Sequence, residues 1–77
     1  MTVITIQPRN SGERDLWPAW QDGEMISSVV DLDDAIRRAS KANADLHVQR
    51  PAYDEMVAAG KAPKEHPSRV AVIDPPP

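Results

Sequence analysis

The chain has 77 residues, no cysteine and a formal charge of −3 at pH 7. That length sustains one thin core and one domain. The missing cysteine excludes disulfides, thiolate metal ligands and a cysteine nucleophile, and the negative charge argues against broad, sequence-independent binding of nucleic acid.

Hydrophobic residues make up 40% of the chain, but none is Phe. Bulky packing therefore falls to Trp17, Trp20, Tyr53 and the three methionines. No apolar run approaches the roughly 18–20 residues of a membrane span. The start, Met1 to Ile6, lacks the basic and long apolar stretches of a signal peptide. These features predict a cytoplasmic protein without a membrane partner.

Residues 2–6 are β-branched and, with Gln7, read as a strand ended by Pro8. Residues 9–14 are polar, contain Gly12 and read as a loop. Asp22-Gly23 then predicts a type I′ hairpin, because Gly tolerates positive φ and the turn matches strand twist. In the simplest register Trp20 faces Met25, Ala19 faces Ile26 and Leu16 faces Val29. Leu16, Trp20, Met25 and Val29 then share one face, while Trp17, Ala19, Ile26 and Ser28 share the other. Pro18 has no N–H, so its strand is expected at an edge there, or bulged.

Asp31 is a helix N-cap. Leu32, Ala35, Ile36 and Ala39 follow at helical spacing and predict a helix over 31–44. Asp33–Arg37 and Asp34–Arg38 form i,i+4 pairs with the acid first, and basic residues close the helix. Residues 45–50 alternate as a strand. Pro51 opens a short second helix with Tyr53, Met56 and Val57 as its stripe and Gly60 as its stop. Residues 61–68 read as a loop, 69–73 as a last strand and 74–77 as a proline-rich tail. The expected fold is one α+β domain over 1–73. It has a small antiparallel sheet of three to four strands in ββαβ order, one main helix packed on it and a short second helix.

The hairpin, Ser27-Ser28, Asp31, the Ala35-Ile36 and Ala39 helix and Leu46-His47-Val48 resemble small bacterial and phage domains of ββαβ order. In kind, as a short, acidic, cysteine-free chain, the protein also resembles phage anti-CRISPR proteins, which implies a protein partner such as a host defence effector complex. Asn10, Glu13 and Leu16-Trp17-Pro18 resemble the Asn-x-Glu…Leu-Trp-Pro signature of MbtH-like proteins, and Arg50-Pro51 adds to the likeness. That second resemblance implies an accessory role beside an adenylation domain. The family's second tryptophan is missing here, with Gly23-Glu24-Met25 standing in its place.

No residues read as catalytic, and no metal or cofactor is expected. His47 and His66 stand 19 residues apart without the further ligands zinc requires. Ser27 and Ser28 lack an elbow motif, and Gly12, Gly23 and Gly60 are too scattered for a phosphate loop. The candidate partner-binding residues are Trp17, Asp22, Glu24, Asp33, Asp34, Arg37, Arg38 and Lys41. The acids form a patch complementary to a basic groove on another protein; the plainer reading has Asp31 capping and Asp33 and Asp34 pairing with Arg37 and Arg38. Arg37, Arg38 and Lys41 form a basic patch that, with the sheet, supplies an alternative nucleic-acid-binding reading; its plainer reading is a solvated helix face. The two indoles stand three residues apart and project to opposite sides of a regular strand. Trp20 is expected beneath the helix and Trp17 outward, where it anchors a partner or lies under Tyr53, Met56 and Val57. A homodimer is a further way to cover the second face.

Overall fold

The computed structural model describes residues 2–9 and 16–75. Most of the 9–14 loop, with Gly12, lies outside the described residues. The elements in order are β1 (Val3–Ile6), β2 (Trp17–Gln21), β3 (Glu24–Val29), α1 (Leu32–Lys41), β4 (Asp45–Gln49), α2 (Arg50–Ala58) and β5 (Val70–Ile73). They form an α+β fold with one five-stranded sheet in the order β3-β2-β1-β4-β5.

The sheet is mixed rather than antiparallel. β1 and β3 each pair antiparallel with β2, but β4 runs parallel to both β1 and β5. The two helices account for this. Each is a crossover that returns the chain to the end where it started, so the strand that follows runs parallel to the strand before. Both crossovers also move across the sheet in one direction, from β3 to β4 and from β4 to β5. Connections of one hand then put both helices on one face.

That face holds the core. Ile4 and Ile6, Trp17 and Ala19, Val29, Leu46 and Val48, and Val70 meet Leu32, Ala35 and Ala39 of α1 and Ala52, Tyr53 and Met56 of α2 in one cluster. The small side chains of Ala35 and Ala39 let α1 lie close on the sheet. Fully burying each larger aliphatic residue contributes roughly 1.5–3 kcal/mol.

Local chemistry sets the element ends. Asp22 (φ 51°) and Gly23 (φ 88°) both adopt the positive φ of a type I′ turn. Asp31 accepts a 2.7 Å hydrogen bond from the Asp34 amide, and Asp34 in turn accepts from the Val30 amide at 3.2 Å. Helix α1 ends at Lys41, short of the expected Ala44, because Asn43 takes φ 51°. The Ala44 and Asn43 amides then donate to the Ala39 and Ser40 carbonyls, closing a Schellman motif. Gly60 (φ 72°) ends α2 likewise, with the Lys61 and Gly60 amides donating to Met56 and Val57.

The hairpin departs from simple register in one place. Trp20 pairs with Met25, as expected, but Ala19 pairs with Ser27. Ile26 is the extra residue of a β-bulge. The slip sets Val29 opposite Trp17 instead of Leu16. It also bears on Pro18: β2 is an interior strand, not an edge, and the irregularity sits one residue away, between Ala19 and Trp20.

Candidate docking surface

With both helices on one face, the other face of the sheet carries none among the described residues. Strand partners place Met25, Trp20, Thr5, His47 and Ala71 in one row across all five strands on that side. Trp20, Thr5 and His47 are half-buried, while Met25 and Ala71 are exposed. The Trp20 Nε1–H is shielded from solvent and has no acceptor among the described residues.

The two indoles do project to opposite faces, but in the reverse of the expected assignment. Trp17 is the core tryptophan, fully buried beside Ala19 and Val29. Its Nε1–H donates to Glu55 Oε1 of α2 at 2.9 Å. Arg9 stacks over the ring with its guanidinium 5.4 Å from the centroid, and the Arg9 amide donates to the same Glu55 oxygen at 3.1 Å. A residue so enclosed offers nothing to a partner, so the expectation of Trp17 as a contact residue is corrected. The physical reason is the bulge, which gives Trp17 the apolar neighbour Val29, together with α2, which brings a carboxylate for the indole N–H.

The helix charges are divided. Asp34 draws Arg37 (3.6 Å) and Arg38 (3.5 Å), and Arg38 also donates to Ser27 Oγ at 2.5 Å. Arg37 thus turns to Asp34, not to Asp33 as the i,i+4 spacing suggested. Asp33 and Lys41 are exposed on α1, and Asp22 and Glu24 are exposed at the hairpin tip. Because α1 lies over the core face, Arg37, Arg38 and Lys41 are not joined to the open sheet face. The basic end of α1 and the open sheet face therefore do not form one surface. Asn10 and Glu13, which carry part of the MbtH-like resemblance, lie outside the described residues.

What sequence reasoning missed is the distribution of exposed apolar side chains. Among the described residues the exposed large hydrophobics are Met25 (52%), Ile26 (43%) and Val30 (45%). All three belong to β3 or directly follow it. The available signal was the apolar content of the strand after Asp22-Gly23; the bulge that pushes Ile26 outward has no local signature.

Other features are chemically bland. A cleft of about 450 Å³ between the end of α1 and the start of β4 is lined by Ile36, Ala39, Ser40, Asn43, Leu46 and Arg69 among others. Asp45 and Arg69 are its charged lining residues. His66 packs edge-on to Tyr53 at 5.9 Å, and the Tyr53 hydroxyl donates to the Pro63 carbonyl. No group of three His, Asp or Glu residues among those described converges as a metal site. No helix among the described residues is long and apolar enough to cross a membrane. Comparison with known proteins finds no matching family model, no matching curated protein and no matching solved structure.

Proposed function

We propose that this chain is a non-enzymatic protein-binding module that works by docking on another protein. The observation that carries this reading is the gathering of the exposed large apolar side chains among the described residues, Met25, Ile26 and Val30, along β3 and the residue after it, beside the half-buried Trp20. Singly scattered apolar residues are ordinary on a surface, whereas a grouped set beside an aromatic residue is the composition of an interface centre. The exposed carboxylates of Asp22 and Glu24, at the hairpin tip, give it an acidic rim at that end. An acidic rim favours approach to a basic surface and disfavours nucleic acid.

Within this class, the specific version is an inhibitor of anti-CRISPR type, which occupies a basic site of a defence complex and excludes its nucleic acid. Short length, acidity and the grouping on β3 support it. The test is a photo-crosslinking amino acid installed at Ile26, with an identical probe at Lys64 as control, in cells of the native host. The reading expects one protein adduct from position 26 that excess unmodified chain competes away. Adducts that form equally from both positions, or only with nucleic acid, would overturn it.

A further inference from the structure

We infer that two copies of this chain pair reversibly through the outer edges of β3, antiparallel about a twofold axis at Ser28, so that their two sheets become one. The inference goes beyond the docking reading and does not depend on it.

β3 is a terminal strand of the sheet, and no described strand pairs with its outer side. Which of its groups face outward follows from β2. The Gln7 amide donates to the Pro18 carbonyl and the Asp22 amide to the Val3 carbonyl, so Pro18 and Asp22 turn their main chain toward β1. By alternation Trp17, Ala19 and Gln21 turn theirs toward β3. Their partners Val29, Ser27 and Glu24 therefore bond inward, and Met25, Ser28 and Val30 face outward. Met25 lies beyond the bulge at Ile26, and the Val30 amide is taken by Asp34 at 3.2 Å. Along the regular stretch, Ser28 is the residue whose N–H and C=O are both left for an incoming strand.

A second copy fits this edge with its faces matched. With the axis at Ser28, the two Ser28 residues exchange a pair of hydrogen bonds. Ser27 stands opposite Val29 of the second copy, and both belong to the helix-covered face, where β2 pairs them with Ala19 and Trp17. One position further out, exposed Ile26 meets exposed Val30 of the second copy, and the axis repeats this contact at the other end. An axis at Val29 also matches faces, but it carries Ile26 past the partner strand to Leu32 of α1.

Charge favours the same register. Arg38 is anchored at Ser27 and Asp34 at Val30. Antiparallel pairing leaves the Ser27 anchor and Val30 of the second copy only about 3.4 Å apart along the strand direction, against about 7 Å between the two Ser27 anchors and about 14 Å between the two Val30 anchors. Arg38 of each copy thus approaches Asp34 of the other more closely than its own like. The ladder from Ile26 to Val30 is about 17 Å long, too short to bury the roughly 1,000 Å² of a stable interface. Pairing is therefore weak, with a dissociation constant on the order of 0.1–1 mM, and dilute chain keeps the edge open. The axis stands perpendicular to the sheet, so Trp20 and Met25 of both copies come to one side, away from the helices.

The test is sedimentation velocity of the full chain across concentrations that bracket that constant. The mass should rise toward twice that of the monomer, and the β3 amide resonances should shift with it while those of β1 and β4 stay fixed. Ser28→Pro removes the outward N–H without touching the β2 ladder, as edge strands allow, and should weaken pairing roughly tenfold or more. Arg38→Gln should weaken it about threefold. Because the chain has no cysteine, Ser28→Cys reads the register. The Cα atoms of a hydrogen-bonded pair lie about 5.5 Å apart, within reach of a disulfide, so mild oxidation should link two copies. Ala71→Cys on β5 should not link them. A chain that stays monomeric throughout, a dimer untouched by Ser28→Pro, or equal linking from both cysteines would overturn the inference. These failures are distinct from failure of the docking reading, which is read from an Ile26 adduct with a different protein, whereas an adduct of two copies reports pairing.

Discussion

The two edges of the sheet are built differently. β5 has four residues, follows Pro67 closely and is followed by Pro75. The Val70 amide bonds back to the Pro67 carbonyl at 3.0 Å, and Arg50 Nε holds Asp74 at 2.7 Å just past the strand. Shortness, proline and charge are the usual devices against edge pairing. β3 has six residues, contains no proline and displays Met25, Ile26 and Val30. Its one protective device is the bulge at Ile26. A chain this small has little apolar surface to spare, yet it leaves some on β3 and closes β5, so the sheet has an open edge and a closed edge.

The largest effect belongs to the frame that both edges share. Trp17→Ala should cost about 3–5 kcal/mol, and it also strips the indole N–H from Glu55. Urea denaturation should find the variant largely unfolded; a loss below 1 kcal/mol (on the order of a surface substitution) would mean that Trp17 is not in the core. Next, Val70→Ala at the closed edge should cost about 1.5–3 kcal/mol, because Val70 is buried. Ile26→Lys at the open edge should stay within about 0.5 kcal/mol. Equal losses in the two variants would erase the distinction between the edges.

Smaller effects follow at the β5 side. Burial, then the nearby Asp54 and Glu65, raises the Tyr53 pKa above its ordinary value of 10.0. The neutral phenol is thus favoured in the fold. Its contribution is fully present below pH 10.0 and is lost as pH rises through the higher folded value. Chemical denaturation should therefore find falling stability above that pH, and Tyr53→Phe should blunt the fall. Smallest is Arg50→Gln, which removes the exposed pair with Asp74. Faster amide exchange at Ile73, with β3 unaffected, is the expected change, and added salt should mimic it in the parent chain.

Much of the fold was legible because its signals are local. Asp22-Gly23, the Asp31 cap, Pro51 and Gly60 each act within a few residues, and each marks the turn or helix end its chemistry demands. Sheet order was not legible: β1 sits between β2 and β4, a choice made by helix crossovers rather than by any strand's own residues. The tryptophan assignment failed for the same reason. Parity correctly sent the indoles to opposite faces, but the side that became the core was decided by one unpaired residue at Ile26 and by Glu55, 38 positions from Trp17. The exposed acids Asp22, Glu24 and Asp33 were identifiable from sequence. The apolar half of the surface was not, because regular pairing assigned Met25 to the core.

Amide hydrogen exchange along β3 in the free chain tests the open edge most directly. If the outer side of β3 is unpaired, protection should alternate along Glu24–Val29, with one break at the Ile26 bulge, inward amides being slow and outward ones near the rate of an unfolded chain. Uniformly slow exchange through the strand would contradict this, because something would already be paired along it.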